Sequence, residues 1–297
     1  MISQSEILGS SKKRAVYADS DFFPAVVKRS YERARATQEK FSSAVSCSGA
    51  RLPEESCICI NGSISRLESV QDSDIDYVLI WNDSTTRGES NRRNSIDSVE
   101  KINRAMTQLD LRPCNSFSCH QPISDLLSTE NLFNRYCILT LVDSTFIAGS
   151  QTAYGRFLNQ IERKLDEYAI GLSAETQVIR TLVWYIHREG WVDQLHFGTS
   201  VNRFSRLIQL FTTILSLQQF GIGSTRATKT TWLRIERLEP FLPAETSDCL
   251  KKLWTRALEL KETRGQKPML RDSSFVGISQ LIEIWQRILS NSQVPGG

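Results

Sequence analysis

The chain has 297 residues, of which 40% are hydrophobic and 23% are charged. This composition is typical of a soluble globular protein and argues against extended disorder. The net charge of +3 is small and does not by itself demand a nucleic-acid partner, and no apolar run approaches the ~18 residues that a membrane span needs.

The N-terminal residues lack a basic segment followed by an apolar core, so we expect no signal peptide. The seven cysteines form no Cys-x-x-Cys pair and no disulfide-framework spacing. They favour a reducing, cytoplasmic setting, although a protein exported without a signal peptide would have the same composition. We expect Cys57 and Cys59 to be buried thiols on a strand.

The first predicted element is an amphipathic helix. Residues 1–18 are polar and predicted to be loosely held. From Asp21 to Ser46, apolar residues such as Phe23, Val27 and Phe41 recur at helical spacing. We expect this helix to pack against a sheet.

The most informative stretch covers residues 57–83. An apolar run ends at Gly62-Ser63, and Asp74-Ile75-Asp76 leads directly into the apolar run Tyr77–Trp81. This order predicts a strand, a tight bend with a short helix, and a second strand that starts on two carboxylates. Alternate strand residues face one side, so Asp74 and Asp76 should project together while Ile75 enters the core.

Two adjacent carboxylates favour a divalent cation, and Mg²⁺ usually takes one or two of them and completes its shell with water and phosphate oxygens. Gly62 allows the backbone to approach a phosphate closely. Ser63 is predicted to cap the short helix, whose N-terminus would face an anion. The stretch therefore predicts a site for a nucleoside triphosphate.

These residues resemble the signature of the nucleotidyltransferase superfamily that includes DNA polymerase beta. The finer pattern is similar to that of the protein-PII uridylyltransferase and its nucleotidyltransferase relatives, with Arg66, Glu68, Ser73, Asp74, Ile75 and Asp76 in register. Two glycines of that family's loop are Ser65 and Leu67 here. Aminoglycoside adenylyltransferases are similar over the same stretch.

The polar residues 82–94 predict a loop beside the site, in which Arg87, Arg92 or Arg93 could contact substrate. A helix is predicted from Ser95 to Leu109, and residues 109–120 should supply a third strand. In many enzymes that the sequence resembles, this strand carries a third carboxylate. Here Asp110 lies only at its edge. Cys114, Cys119 and His120 could form a metal cluster, but we favour the interpretation that these cysteines are buried thiols.

Residues 139–149 resemble another stretch of the family, which makes Asp143 the second candidate for a third carboxylate, although a structural cap or a surface position is the favoured interpretation of this residue. From Gln151 onward the pattern is helical. We therefore predict an α+β protein, with a small mixed-sheet nucleotidyltransferase head in residues 1–150 and a helical bundle in residues 151–297. Bundle residues that could face the cleft are Arg180, His187, Arg188, Arg203 and Arg206.

The resemblance implies a metal-dependent enzyme that moves an NMP group from an NTP such as ATP to a hydroxyl acceptor. Asp74 and Asp76 would be catalytic and would hold Mg²⁺ or Mn²⁺, while Gly62, Ser63 and Arg66 would bind the nucleotide. A protein, a small molecule or a tRNA end could each be the acceptor, and no membrane partner is expected. The alternative is an inactive nucleotide- or partner-binding module on the same fold, which the missing third acid and lost loop glycines favour.

Overall fold

A computed structural model describes residues 23–70, 73–84, 88–113, 120–168, 171–192, 195, 199–264, 269–270 and 278–291. The polar segment 1–18 lies outside them. The fold is α+β, as predicted: a small mixed sheet with helices around it, followed by a helical region. The elements of the head are α1 (Ala25–Cys47), β1 (Ser56–Ile60), α2 (Gly62–Ser65), β2 (Tyr77–Trp81), α3 (Gly88–Gln108), β3 (His120–Pro122), α4 (Ile123–Leu126), α5 (Thr129–Leu132), α6 (Arg135–Asp143) and β4 (Thr145–Gly149).

The sheet has the strand order β3-β2-β1-β4. Strand β1 pairs antiparallel with β2 and with β4, and β2 pairs parallel with β3. The register places Ile60 opposite Tyr77. The end of β1 that leads into the bend is therefore adjacent to the start of β2, where the two aspartates lie.

The two central strands are covered on both faces, because alternate residues enter different cores. Ile58 and Leu79 contribute to one core with helices α1 and α3. Cys59 and Ile80 contribute to the other core, which continues into the helical region. The sheet therefore lies between the head helices and the bundle.

The predicted N-terminal helix is confirmed as α1, which packs on the sheet. Phe41 is fully buried, and its ring centroid lies 5.1 Å from that of Tyr77 on β2. Pro24 precedes the helix and is compatible with a helix start, since its missing N–H would have no intrahelical acceptor there.

The loop predicted over residues 82–94 is wrong in its second half, because α3 already begins at Gly88. The buried face of its first turns carries Asn91, Ser95 and Ser98 rather than apolar residues. Polar side chains at this spacing hide the helical period from a hydrophobicity pattern. Arg92 and Arg93 are exposed on this helix, and Arg87 lies outside the described residues.

The structure describes both ends of the predicted third strand. Pro113 forms an isolated parallel bridge with Ile75, and strand β3 covers His120–Pro122. Residues 114–119, with Cys114 and Cys119, lie outside the described part of the chain. Asp110 has a positive φ of 53° and sits at the turn between α3 and this bridge.

The remaining elements are α7 (Gln151–Tyr168), α8 (Ala174–Arg188), β5 (Thr199–Ser200), α9 (Val201–Ala227), α10 (Thr231–Leu238), a 3₁₀ turn (Glu239–Phe241), α11 (Ala244–Arg264), β6 (Met269–Leu270) and α12 (Ile278–Asn291). Helix α9 is kinked at Gly221, which has a φ of 73°. One continuous core joins sheet residues such as Val78 to bundle residues such as Leu182 and Trp254. Within the described residues, no helix combines the length and apolar character that crossing a membrane requires.

Candidate functional site

A cavity of about 300 Å³ lies between the bend after β1, the residues before β2 and the bundle. The head contributes Gly62, Ser63, Asp74 and Asp76 to its lining. The bundle contributes polar and aromatic residues, among them Tyr185, Trp191, Asn202, Arg206, Gln209 and Lys261. The structure thus brings the predicted bend and carboxylates together in one cavity.

Asp74 and Asp76 lie in extended backbone immediately before β2. Ile75 between them is buried in the head core, so the two carboxylates face away from that core. The Ile75 N–H donates to the Arg112 carbonyl at 2.9 Å. The Asn61 N–H donates to the Asp76 carbonyl at 2.7 Å, so backbone bonds fix the segment on both sides.

Gly62 is in direct contact with the Asp76 carboxylate. Its φ is +70°, and a Cβ added here would lie 2.4 Å from Asp76 Oδ2. Any side chain would therefore collide with the carboxylate, in addition to the backbone strain of positive φ. The helix α2 begins at Gly62 with Asn61 as its N-cap, so Ser63 lies in the first turn and is not the cap that the sequence predicted.

The electrostatics of the carboxylate pair suit a cation. Partial burial raises the pKa of Asp74, the neighbouring Asp76 raises it further, and Arg112 offsets part of this effect. A divalent cation would relieve the repulsion, and oxygen donors are what Mg²⁺ and Mn²⁺ prefer. Across the described residues, no group of three or more His, Cys, Asp or Glu side chains is arranged to hold a metal ion.

Arg66, predicted to bind nucleotide, borders the cavity but is bound to protein groups. Its Nε donates to Glu68 at 3.2 Å, Nη1 to Asp143 at 3.2 Å and Nη2 to Gln209 Oε1 at 2.9 Å. Burial raises the pKa of Glu68 more than the Arg66 charge lowers it. These contacts make Arg66 a residue that positions the bend against the bundle.

Asp143 completes the same buried network. It accepts from Arg66 and, at 2.6 Å, from Nη2 of the fully buried Arg234. Burial alone would raise the pKa of Asp143, but the charges and hydrogen bonds of Arg234 and Arg66 hold it below its ordinary value. A carboxylate held by two arginines is a weak base, so the network assigns Asp143 a structural role rather than that of a third catalytic acid.

Asp110, the other acid considered for that role, does not line this cavity. It borders a second cavity on the far side of Ser73. Of the bundle residues suggested by the sequence, Arg206 lines the first cavity, whereas Arg180, His187, Arg188 and Arg203 are absent from its lining.

Sequence reasoning missed Lys261, which reaches the cavity from α11. Its ammonium group has no hydrogen-bond or ion-pair partner among the described residues. Burial lowers its pKa to about 7, and the charges of Arg66 and Arg206 act in the same direction. No local signal in the sequence distinguishes Lys261 from Lys251 or Lys252 on the same helix.

The predicted burial of Cys57 and Cys59 is confirmed, and both are free thiols. Burial raises the pKa of both thiols, that of Cys59 to about 12. They are therefore packing residues rather than nucleophiles.

A family model described as "Putative nucleotidyltransferase DUF294" matches residues 15–119. The match includes the bend, both carboxylates and the bridge at Pro113, and it ends before the bundle. It supports the nucleotidyltransferase superfamily for this part of the chain. No curated protein matches the sequence.

Proposed function

We propose that this protein transfers a nucleotidyl group from a nucleoside triphosphate to a hydroxyl group of an acceptor. The observation that carries the proposal is the close approach of Gly62 to the Asp76 carboxylate, which a side chain at position 62 would displace. A phosphate that approaches the bend at Ser63 therefore lies beside the carboxylate pair. The family match over residues 15–119 supports the same class of reaction.

Asp74 and Asp76 would hold Mg²⁺ or Mn²⁺. When bound, the cation would neutralise phosphate charge and polarise the bond that breaks at the α-phosphorus. Gly62 and Ser63 would bring backbone close to the phosphates. Binding and orientation by these groups would account for most of the rate enhancement.

Lys261 and Arg206 are suited to bind the triphosphate. Both line the cavity from the bundle, where they would offset negative charge that the aspartates repel. Because the pKa of Lys261 is lowered to about 7, an incoming triphosphate would favour its protonated form. Binding should therefore be accompanied by proton uptake near neutral pH.

Tyr185 and Trp191 offer an aromatic wall in the same cavity. Their ring centroids are 5.2 Å apart with an interplanar angle of 77°. Aromatic faces stack on nucleobases with little base preference. We therefore assign this wall to the base of ATP or another NTP.

In the proposed reaction, the hydroxyl oxygen of the acceptor forms a bond to the α-phosphorus. The bond from that phosphorus to the bridging oxygen breaks, and pyrophosphate leaves with the electron pair. The hydroxyl proton passes to water, since Asp143 is held by two arginines. Protein side chains, small molecules and tRNA ends all carry suitable hydroxyl groups.

The test is the double variant Asp74→Asn with Asp76→Asn, assayed with each α-labelled NTP, a divalent cation and whole lysate. We expect loss of label transfer and of pyrophosphate release, with the thermal unfolding temperature retained. Asp97→Asn, an exposed carboxylate on α3, is the matched control and should transfer normally. Unchanged transfer by the double variant would refute the assignment.

A second candidate is a nucleotide-binding module without transferase activity. The pairing of the carboxylates that line the cavity favours it. Glu68 and Asp143 are both paired with arginine, so among the lining residues only Asp74 and Asp76 remain for a cation. Calorimetry with each NTP and Mg²⁺, together with the pyrophosphate assay, separates the two functions. Binding without release in lysate would favour the module.

A further inference from the structure

A second cavity of about 360 Å³ adjoins the first. Its walls come from α1, from Ser69, Val70, Ser73 and Ile75, and from the residues that follow α3. Val70 and Ser73 line both cavities, so the two cavities share part of their walls. A molecule in the second cavity would be close to the carboxylate pair without entering the predicted triphosphate site.

The second cavity carries positive charge. Among the described residues that line it, Arg33, Lys40 and Arg112 stand against one carboxylate, that of Asp110. Lys40 is exposed to solvent, so its ammonium group can reach an incoming ligand. Arg33 also contacts Glu262 at 3.4 Å and the Ser69 carbonyl at 3.5 Å, which holds its guanidinium at the cavity wall.

Arg112 links this cavity to the candidate active site. The bridge between Ile75 and Pro113 is parallel, and the Ile75 N–H donates to the Arg112 carbonyl. Opposite residues of a parallel pair point to the same side, which places Arg112 beside Asp74.

We propose that this cavity, lined by Arg33, Lys40 and Arg112, binds a phosphate group of the acceptor, so that the acceptor is a phosphate-bearing molecule. Arginine and lysine together are the residues that proteins use to bind phosphate oxygens. A phosphate held here would place the acceptor beside the wall that the two cavities share, at Val70 and Ser73. The inference rests on the proposed function, since it assigns the acceptor class of that reaction.

The probes are a short single-stranded oligoribonucleotide, glycerol phosphate, and glycerol as the phosphate-free control. Binding to the full chain is measured by fluorescence anisotropy for the labelled oligoribonucleotide and by calorimetry for the small molecules. Each measurement is repeated with a nonhydrolysable NTP analogue and Mg²⁺ filling the first cavity. We expect phosphate-dependent binding that persists with the analogue present.

The variant Lys40→Glu should weaken probe binding by about fivefold or more, because a repulsive charge replaces an attractive one. Arg35→Glu, an exposed reversal on the same helix that does not line the cavity, is the control and should change binding less than about twofold. NTP binding should be the same in both variants. Binding of the oligoribonucleotide alone supports a polymeric acceptor, and binding of glycerol phosphate supports a small one.

Three results would overturn the inference: no phosphate probe binds, the analogue displaces the probe, or Lys40→Glu and Arg35→Glu weaken binding equally. None of them depends on turnover. Failure of the proposed transferase activity would instead be seen as absent pyrophosphate release, so the two failures are distinguishable.

Discussion

Asp143 lies between two buried arginines, and its charge should be essential for stability. The variant Asp143→Asn keeps the side-chain volume but removes the negative charge that Arg66 and Arg234 share. Removing one partner of a buried ion pair typically costs about 3–5 kcal/mol, because an uncompensated charge stays buried. We expect a loss of this size in the free energy of unfolding at neutral pH.

The measurement is denaturation by urea, followed by tryptophan fluorescence. Asp97→Asn is the control, since its ion pair with Lys101 is exposed at i,i+4 and should contribute at most about 0.5 kcal/mol. A loss below about 1 kcal/mol for Asp143→Asn would refute the reasoning. So would normal stability with abolished transfer, which is the signature of a catalytic acid.

The Asp143 carboxylate should also make the free energy of unfolding depend on pH in the acidic range. Because the folded-state pKa of Asp143 is held below its ordinary value of 3.8, its contribution is complete above that value and is lost as the pH falls through the folded-state pKa. Asp143→Asn should therefore flatten this part of the profile of unfolding free energy against pH. An unchanged acid profile would contradict the charge assignment.

Two further substitutions test the cavity itself. Gly62→Ala should abolish transfer, because its Cβ would collide with the Asp76 carboxylate. Gly49→Ala is the control: Gly49 also has a positive φ, but a Cβ there would meet no atom within 4 Å, so this variant should lose only about 1–2 kcal/mol of stability. Equal activity of the two variants in the pyrophosphate assay would disprove the close contact. Lys261→Met should weaken NTP binding yet stabilise the free protein by about 1–2 kcal/mol at neutral pH, because it removes a poorly solvated amine. Since the folded-state pKa of Lys261 is lowered to about 7 from 10.5, the free energy of unfolding of the wild type should rise with pH between these values, and the Met variant should lack this rise. Lys252→Met, at an exposed position on the same helix, is the control. A Lys261→Met variant that is less stable than the wild type would contradict the reasoning.

The parts of the fold that the sequence predicted are those governed by local periodicity. Alternation around Ile75 was enough to place Asp74 and Asp76 on one side, because a strand allows only two directions. The helices after Gln151 followed from apolar spacing in the same way. The start of α3 could not be predicted from apolar spacing, because its buried face is formed by Asn91, Ser95 and other polar residues.

The parts that sequence reasoning missed depend on contacts between distant residues. Arg66 has a spacing typical of a loop ligand, yet its partner Asp143 is 77 residues away, and Asp143 meets Arg234 another 91 residues on. Lys261 lines the cavity because of the way α11 packs, and no local sequence pattern predicts that packing. Leu67, which stands where the sequences that this stretch resembles have glycine, adopts a φ of 60°, a left-handed conformation that this residue type disfavours.

The ionic network joining the bend to the bundle has a consequence for how this protein can be divided. Glu68 accepts from the Thr231 backbone and from Gln209, and Arg66 reaches Gln209 as well. A gene fragment ending near residue 150 would remove the Gln209 and Thr231 partners of these charged groups and would leave one side of the sheet open to water. We expect such a fragment to aggregate on expression, so recombination that transplants the Asp74–Asp76 motif would have to include the helical region as well.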